Sequence, residues 1–145
     1  MRSDSTAFLD DARPARAQSA SRTYGDPRGA IAAARDFTAS FLRARAEAGA
    51  AIGQRTVEDA RLVVSELVTN VVRHAAGPCR VELGLTRGTL EIAVTDTYEA
   101  APTAHAPDPG RVGQHGLEIV LALCESVDVE PVPSGKRVRA RLKVK

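Results

Sequence analysis

Apolar positions recur along this chain at two spacings, one near 3.6 residues and one of two, and they divide it into helical and extended segments. From Thr56 onward, Val57, Ala60, Val64, Leu67, Val68, Val71 and Ala75 form a stripe on one side of a helix. Thr56 and Asp59 read as a capping box at its start, and Gly77-Pro78 as its stop. An earlier helix is predicted behind Asp26-Pro27, with Asp as N-cap and Pro at the first helical position. Its apolar face carries Ile31, Ala34, Phe37, Thr38, Phe41 and Leu42, and Gly49 and Gly53 end the helix and its linker.

The period then changes to two. In 80–86 Val81, Leu83 and Leu85 alternate with Arg80, Glu82 and Gly84, and in 90–95 Leu90, Ile92 and Val94 make the apolar set. Arg87-Gly88 predicts a hairpin turn between the two strands. A short helix is expected from Gly116 to about Glu125, then a strand near Ser126–Val129, a Pro-Ser-Gly turn and a last strand from Arg137 to Val144. Strands with one apolar and one polar face suit an antiparallel sheet covered by helices on one side. The expected fold class is therefore α+β, a two-layer α/β sandwich whose sheet is mixed and mostly antiparallel. Residues 1–22 show no sustained pattern and read as a disordered N-terminal tail, with a short strand near Thr23 and Tyr24, so the folded domain is expected at 23–145.

With 145 residues, 43% of them hydrophobic and 26% charged, the chain has enough apolar material for one core. The aromatic share of 3% argues against a base-stacking nucleic-acid module. Twenty basic residues against 18 acidic ones give a net charge of +2, too little for a general attraction to DNA or anionic lipid. Cys79 and Cys124 lack metal-site spacing and read as small core residues of a reducing compartment. Three acidic residues near the N-terminus and the lack of a spanning apolar run point to a cytoplasmic location and to no membrane partner. Arg137, Arg139, Arg141 and Lys143 form a basic ladder on the last strand. It reads either as a solvated sheet face paired with Glu82 and Glu91, the reading preferred here, or as a nucleic-acid surface.

Three places hold candidate chemistry. Glu66 and Asn70 lie four residues apart on the second helix, with His74 four further on, along one flank of the apolar stripe. Alone, that pair reads first as polar residues bordering a core. Asp96 ends an apolar strand, which puts a carboxylate at the rim or floor of a cavity. Gly113-Gln114-His115-Gly116 runs into a helix, where free N–H groups can meet phosphate. The stretch from Thr97 to Gly113 is long and rich in proline, as lids often are.

In this order the segments VVSELVTNVVRHA, VTD, GQHGLEIVLALC and PSGKRV resemble the GHKL (histidine kinase/Hsp90-like) ATP-binding domain, over residues from about 24 to 145. The likeness is greatest to the stand-alone anti-sigma-factor serine kinase branch. It implies the Bergerat-type form of the α+β sandwich, with ATP and Mg²⁺ as cofactors. It implies that Asn70 offers its side-chain oxygen to Mg²⁺ and helps bind ATP, that Glu66 is the catalytic base, and that Asp96 accepts a hydrogen bond from the adenine amino group. Gly113, His115, Gly116 and Leu117 would frame the phosphates, with the preceding loop as lid. Asp96 is followed by Thr97 and Tyr98 where the family has Asp-x-Gly, and Arg137 stands where the family usually offers a Thr near the adenine.

The implied activity is an ATP-dependent protein serine/threonine kinase. It would bind a sigma factor and phosphorylate a STAS-type anti-sigma antagonist, with no nucleic-acid partner. Related kinases often dimerise through the outer sheet region, so a homodimer belongs among the expectations. The competing reading is a non-catalytic ATP-binding or degenerate regulator that works by sequestering a partner.

Overall fold

The stripe near Thr56 folds as helix α2, Gln54–His74, and the earlier apolar face as helix α1, Ala30–Glu47. The computed structural model describes residues 18–26, 28–74, 77–97, 117–133 and 135–145. Within these, α1 and α2 pack on each other and on one face of a five-stranded sheet. The strands are β1 (Ser19–Tyr24), β2 (Cys79–Thr86), β3 (Thr89–Thr97), β4 (Ser126–Val132) and β5 (Gly135–Lys143). Their order is β1-β2-β3-β5-β4, and all four pairings are antiparallel. Residues 117–123 form a short helix, α3. The α+β sandwich is thus present.

Both helix starts differ from the sequence reading. The Asp26 carboxylate accepts the Arg28 N–H at 2.9 Å and caps a turn, while Gly29, at φ 78°, is the N-cap of α1. Pro27 lies outside the described residues. Helix α2 begins two residues before Thr56, on the Gly53 carbonyl. Thr56 Oγ1 instead joins the far end of the chain, donating to the Lys145 carbonyl and accepting the Lys145 N–H, each at 2.9 Å. The capping-box pattern is therefore occupied by a long-range contact that local spacing cannot foretell. The end of α1 follows expectation. Ala50 N–H reaches the Arg45 carbonyl and Gly49 N–H the Ala46 carbonyl, with Gly49 at φ 112°, which is a Schellman motif.

Strand β1 starts at Ser19, so residues 19–22, grouped with the tail above, belong to the sheet. The turn between β2 and β3 has positive φ at both Arg87 (46°) and Gly88 (83°), the twist that a two-residue hairpin requires. Strand β4 runs past Val129 to Val132, and β5 opens at Gly135.

The core lies between the helices and the inner sheet face. Leu42, Val63, Val64, Leu67, Val68, Val81, Leu83, Leu90, Ile92, Val94 and Val120 are all 2% exposed or less. Each large side chain so buried contributes about 1.5–3 kcal/mol relative to exposure. The outer face carries the basic ladder, and its charges are paired. Arg139 meets Glu91 at 3.0 Å and Glu130 at 3.6 Å, Arg141 meets Glu91 and Asp128, and Lys143 meets Glu125. Glu82 pairs along its own strand with Arg80 rather than with the ladder. The solvated-face reading accounts for these contacts, each worth about 0–1 kcal/mol at such exposure. Among the described residues, no helix is long and apolar enough to cross a membrane.

Candidate functional site

Strand β3 places Leu90, Ile92, Val94 and Asp96 on the same inner face, because alternate residues share a side. Asp96 therefore arrives where a fourth core residue would sit and is only 3% exposed. Its Oδ1 accepts the backbone N–H of Lys136 at 2.8 Å, and no hydrogen bond reaches Oδ2 among the described residues. Burial pushes the Asp96 carboxyl above the ordinary carboxylate range, against the opposing pull of the Lys136 N–H and the Lys136 charge. Gly135 packs directly on this carboxylate, since a Cβ there would overlap both Asp96 Oδ1 and the Asp96 carbonyl oxygen.

The sheet register carries a row across four strands at this level. Tyr24 pairs with Cys79, Cys79 with Asp96, and Asp96 with Lys136. Cys79 is buried, and burial first, then the Asp96 charge, raises its thiol to about 11. It is a thiol at neutral pH and an inert one. The Tyr24 phenol oxygen is buried without a hydrogen-bond partner among the described residues, and burial raises its pKa also. Tyr24 and Cys79 lie outside the site residues expected from the sequence. Gly135 and Lys136 belong to PSGKRV, one of the segments that carry the resemblance, but nothing nearby in sequence ties them to Asp96.

Helix α2 carries the other candidate residues. At 100° per residue Asp59, Glu66 and Asn70 lie along one flank of its buried stripe. Glu66 and Asn70 are both half-buried. The Asn70 carboxamide makes no hydrogen bond among the described residues. Because β2 opens at Cys79 soon after α2 closes at His74, the end of α2 lies beside the end of the sheet that holds the Cys79–Asp96 pair. Asn70 and Asp96 are thus brought to one end of the sandwich, with Glu66 about 6 Å further along the helix.

Helix α3 borders the same flank. Val120 is fully buried in the core, and the Asp59 charge, after burial itself, raises Cys124, which follows the helix, to about 11. Leu117, half-buried, opens the described part of α3. Gly113, His115 and Gly116, together with the expected lid, lie outside the described residues. Arg137 is a correction. Its side chain lies on the outer face, where Nε donates to Thr95 Oγ1 at 3.2 Å and a terminal nitrogen meets Glu130 at 3.4 Å. The inner-face position opposite Asp96 belongs to Lys136. Arg137 is therefore part of the outer-face ladder, with its side chain directed away from Asp96.

The buried carboxylate has a consequence for stability. With its folded pKa raised above the ordinary carboxylate value of 3.8, Asp96 holds its proton more tightly in the folded chain than in the unfolded one. The stability from that group is complete below 3.8 and is lost as pH rises through the raised value. Asp96→Asn keeps an acceptor for the Lys136 N–H and removes the buried charge. The ligand-free variant is expected to melt higher than wild type at neutral pH, with the difference closing as pH falls toward the ordinary carboxylate range. Paired thermal melts between pH 4 and 8 read this, and a difference that grows toward acid refutes it.

A search of curated proteins returns no match. A family model described as the histidine kinase-like ATPase domain matches residues 25–142, a span that takes in α1, α2, the Asp96 strand and the Gly135 hairpin. That match covers most of the chain, and this protein belongs to the histidine kinase-like ATPase domain family.

Proposed function

We propose that the chain is an ATP- and Mg²⁺-dependent protein serine/threonine kinase of the anti-sigma-factor type. On this reading it holds a sigma factor and phosphorylates a STAS-type antagonist. The observation that carries the nucleotide part is Asp96, a buried inner-face carboxylate with one oxygen tied to the backbone and the other unpartnered among the described residues. A buried acceptor of this kind favours a base that brings a donor and rejects one that does not.

Asn70 fits the metal expected beside the phosphates. Its half-buried carboxamide has no competing hydrogen bond among the described residues, and Mg²⁺ prefers hard oxygen ligands, few of them from protein. When bound, the ion supplies charge neutralisation at the phosphates. Glu66 lies on the same flank and is the base assigned to the acceptor hydroxyl. As the serine or threonine oxygen bonds to the γ-phosphorus, its proton passes to the Glu66 carboxylate. The bond from that phosphorus to the bridging oxygen breaks, and ADP leaves.

Two measurements test the reading. Thermal melting with ATP and Mg²⁺ should show stabilisation of about 2.7 kcal/mol at ligand 100 times above Kd. Asn70→Ala and Asp96→Ala should each remove most of it. Labelled ATP incubated with the chain and a STAS-type antagonist should leave phosphate on a serine or threonine of the antagonist. A melting shift without transfer to any antagonist would leave sequestration as the function, and no shift at all would end the nucleotide reading.

A further inference from the structure

The Asp96 carboxylate is not free to choose which oxygen it offers. Lys136 N–H occupies Oδ1 at 2.8 Å, and this donor belongs to the backbone of β5, fixed by the pairing of Asp96 with Lys136. On the same side Gly135 lies so close that a Cβ would overlap Oδ1 and the Asp96 carbonyl oxygen. The carboxylate is thus held by a donor and by a wall of bare backbone, and Oδ2 alone remains.

We infer that the Gly135–Lys136 backbone is a positioning element that fixes which atom of residue 96 meets the purine. The hydrogen-bond polarity presented to position 6 of the base then depends on the last hairpin as well as on the identity of residue 96. This rests on the reading that Asp96 faces the base. A carboxylate offers an acceptor in either orientation, so in the wild type the clamp sets geometry only. A carboxamide exposes the difference. Its oxygen must stay on the Lys136 N–H, since a flip would set two donors against each other, and its NH₂ is left in the place of Oδ2. The site then presents a donor where it had presented an acceptor.

ATP and ITP serve as probes, the first with an amino group at position 6 and the second with an oxygen there. Wild type should prefer ATP by about 10- to 100-fold, the range for one hydrogen bond to a charged group. Asp96→Asn should invert that preference and bind ITP the tighter. A side chain free to flip would keep its oxygen toward ATP, so an Asp96→Asn variant that still prefers ATP, or that loses both nucleotides equally, overturns the clamp.

Gly135→Ala tests the wall. Its methyl group would overlap Asp96 Oδ1 and the Asp96 carbonyl oxygen, so both the carboxylate and the strand beside it are displaced, and the ratio of ATP to ITP affinity should fall toward one. An unchanged ratio in this variant also overturns the clamp. Where Gly135→Ala fails to fold, Asp96→Asn, which leaves the backbone as it is, decides alone. Wild type binding neither nucleotide overturns the nucleotide reading itself, an outcome distinct from the others.

Discussion

Glu66→Ala is expected to lower phosphoryl transfer to the antagonist by about 10²–10⁴-fold, the usual contribution of a positioned general base. ATP affinity should change little. Glu66 is half-buried on the flank of α2, one turn from Asn70, and it is Asn70 and Asp96 that are assigned to the nucleotide. The substitution introduces the best helix former into a helix interior, so the scaffold should stand. Glu66→Gln retains shape and hydrogen bonding without proton affinity and should be nearly as inactive. Single-turnover transfer with saturating ATP isolates the chemical step, and a nucleotide melting shift on the same samples verifies binding. Transfer at the wild-type rate in either variant would remove Glu66 from the role of base and leave the proton to another group or to water. Loss of binding in parallel with transfer would make Glu66 a nucleotide-holding residue instead.

The second large effect concerns the core. Ile92 is 0% exposed in β3, which has hydrogen-bonded neighbours on both sides, β2 and β5. Ile92→Ala removes three carbons from a place that the sheet cannot readily collapse upon. A loss of about 2–5 kcal/mol is expected, against about 0.5–1.5 for Ile92→Val. Because Ile92 lies four residues before Asp96 on the same face, the loss should also soften the floor of the site. Chemical denaturation reads it as a lower midpoint at an unchanged slope. A loss below 1 kcal/mol in Ile92→Ala would mean that α2 can settle onto the sheet, and the packing described above would be looser than drawn. An altered slope would mean that the folded or unfolded state had changed in compactness as well.

Much of the fold was legible because it rests on periodicity. The α2 stripe, the alternation in β2 and β3 and the Arg87-Gly88 turn all follow from local rules that need no knowledge of a partner. The hairpin turn is the clearest case, since positive φ at two successive residues is what that loop length demands. The helix starts were misplaced because capping residues compete for partners that lie elsewhere. Thr56 has the right chemistry for an N-cap, but Lys145, 89 residues away, claims its hydroxyl. Asp26 likewise caps a turn, with Gly29 beginning the helix in its place.

The candidate site divides along similar lines. By itself, the sequence determined which residue types could do the chemistry. It set a carboxylate at the end of an apolar strand, a Glu and an Asn on one flank of a helix, and a row of alternating cations on the last strand. Such features depend on neighbours within a few positions, and periodicity fixes which face they take. Only the tertiary structure decided what those residues meet. It put Lys136 N–H on Asp96 Oδ1, pressed Gly135 against the same carboxylate, gave Arg137 Thr95 and Glu130 as partners, and brought the end of α2 to the end of the sheet that holds Asp96. Strand pairing joins residues forty positions apart through backbone groups that are alike in every residue, so no side-chain pattern along the chain announces the join.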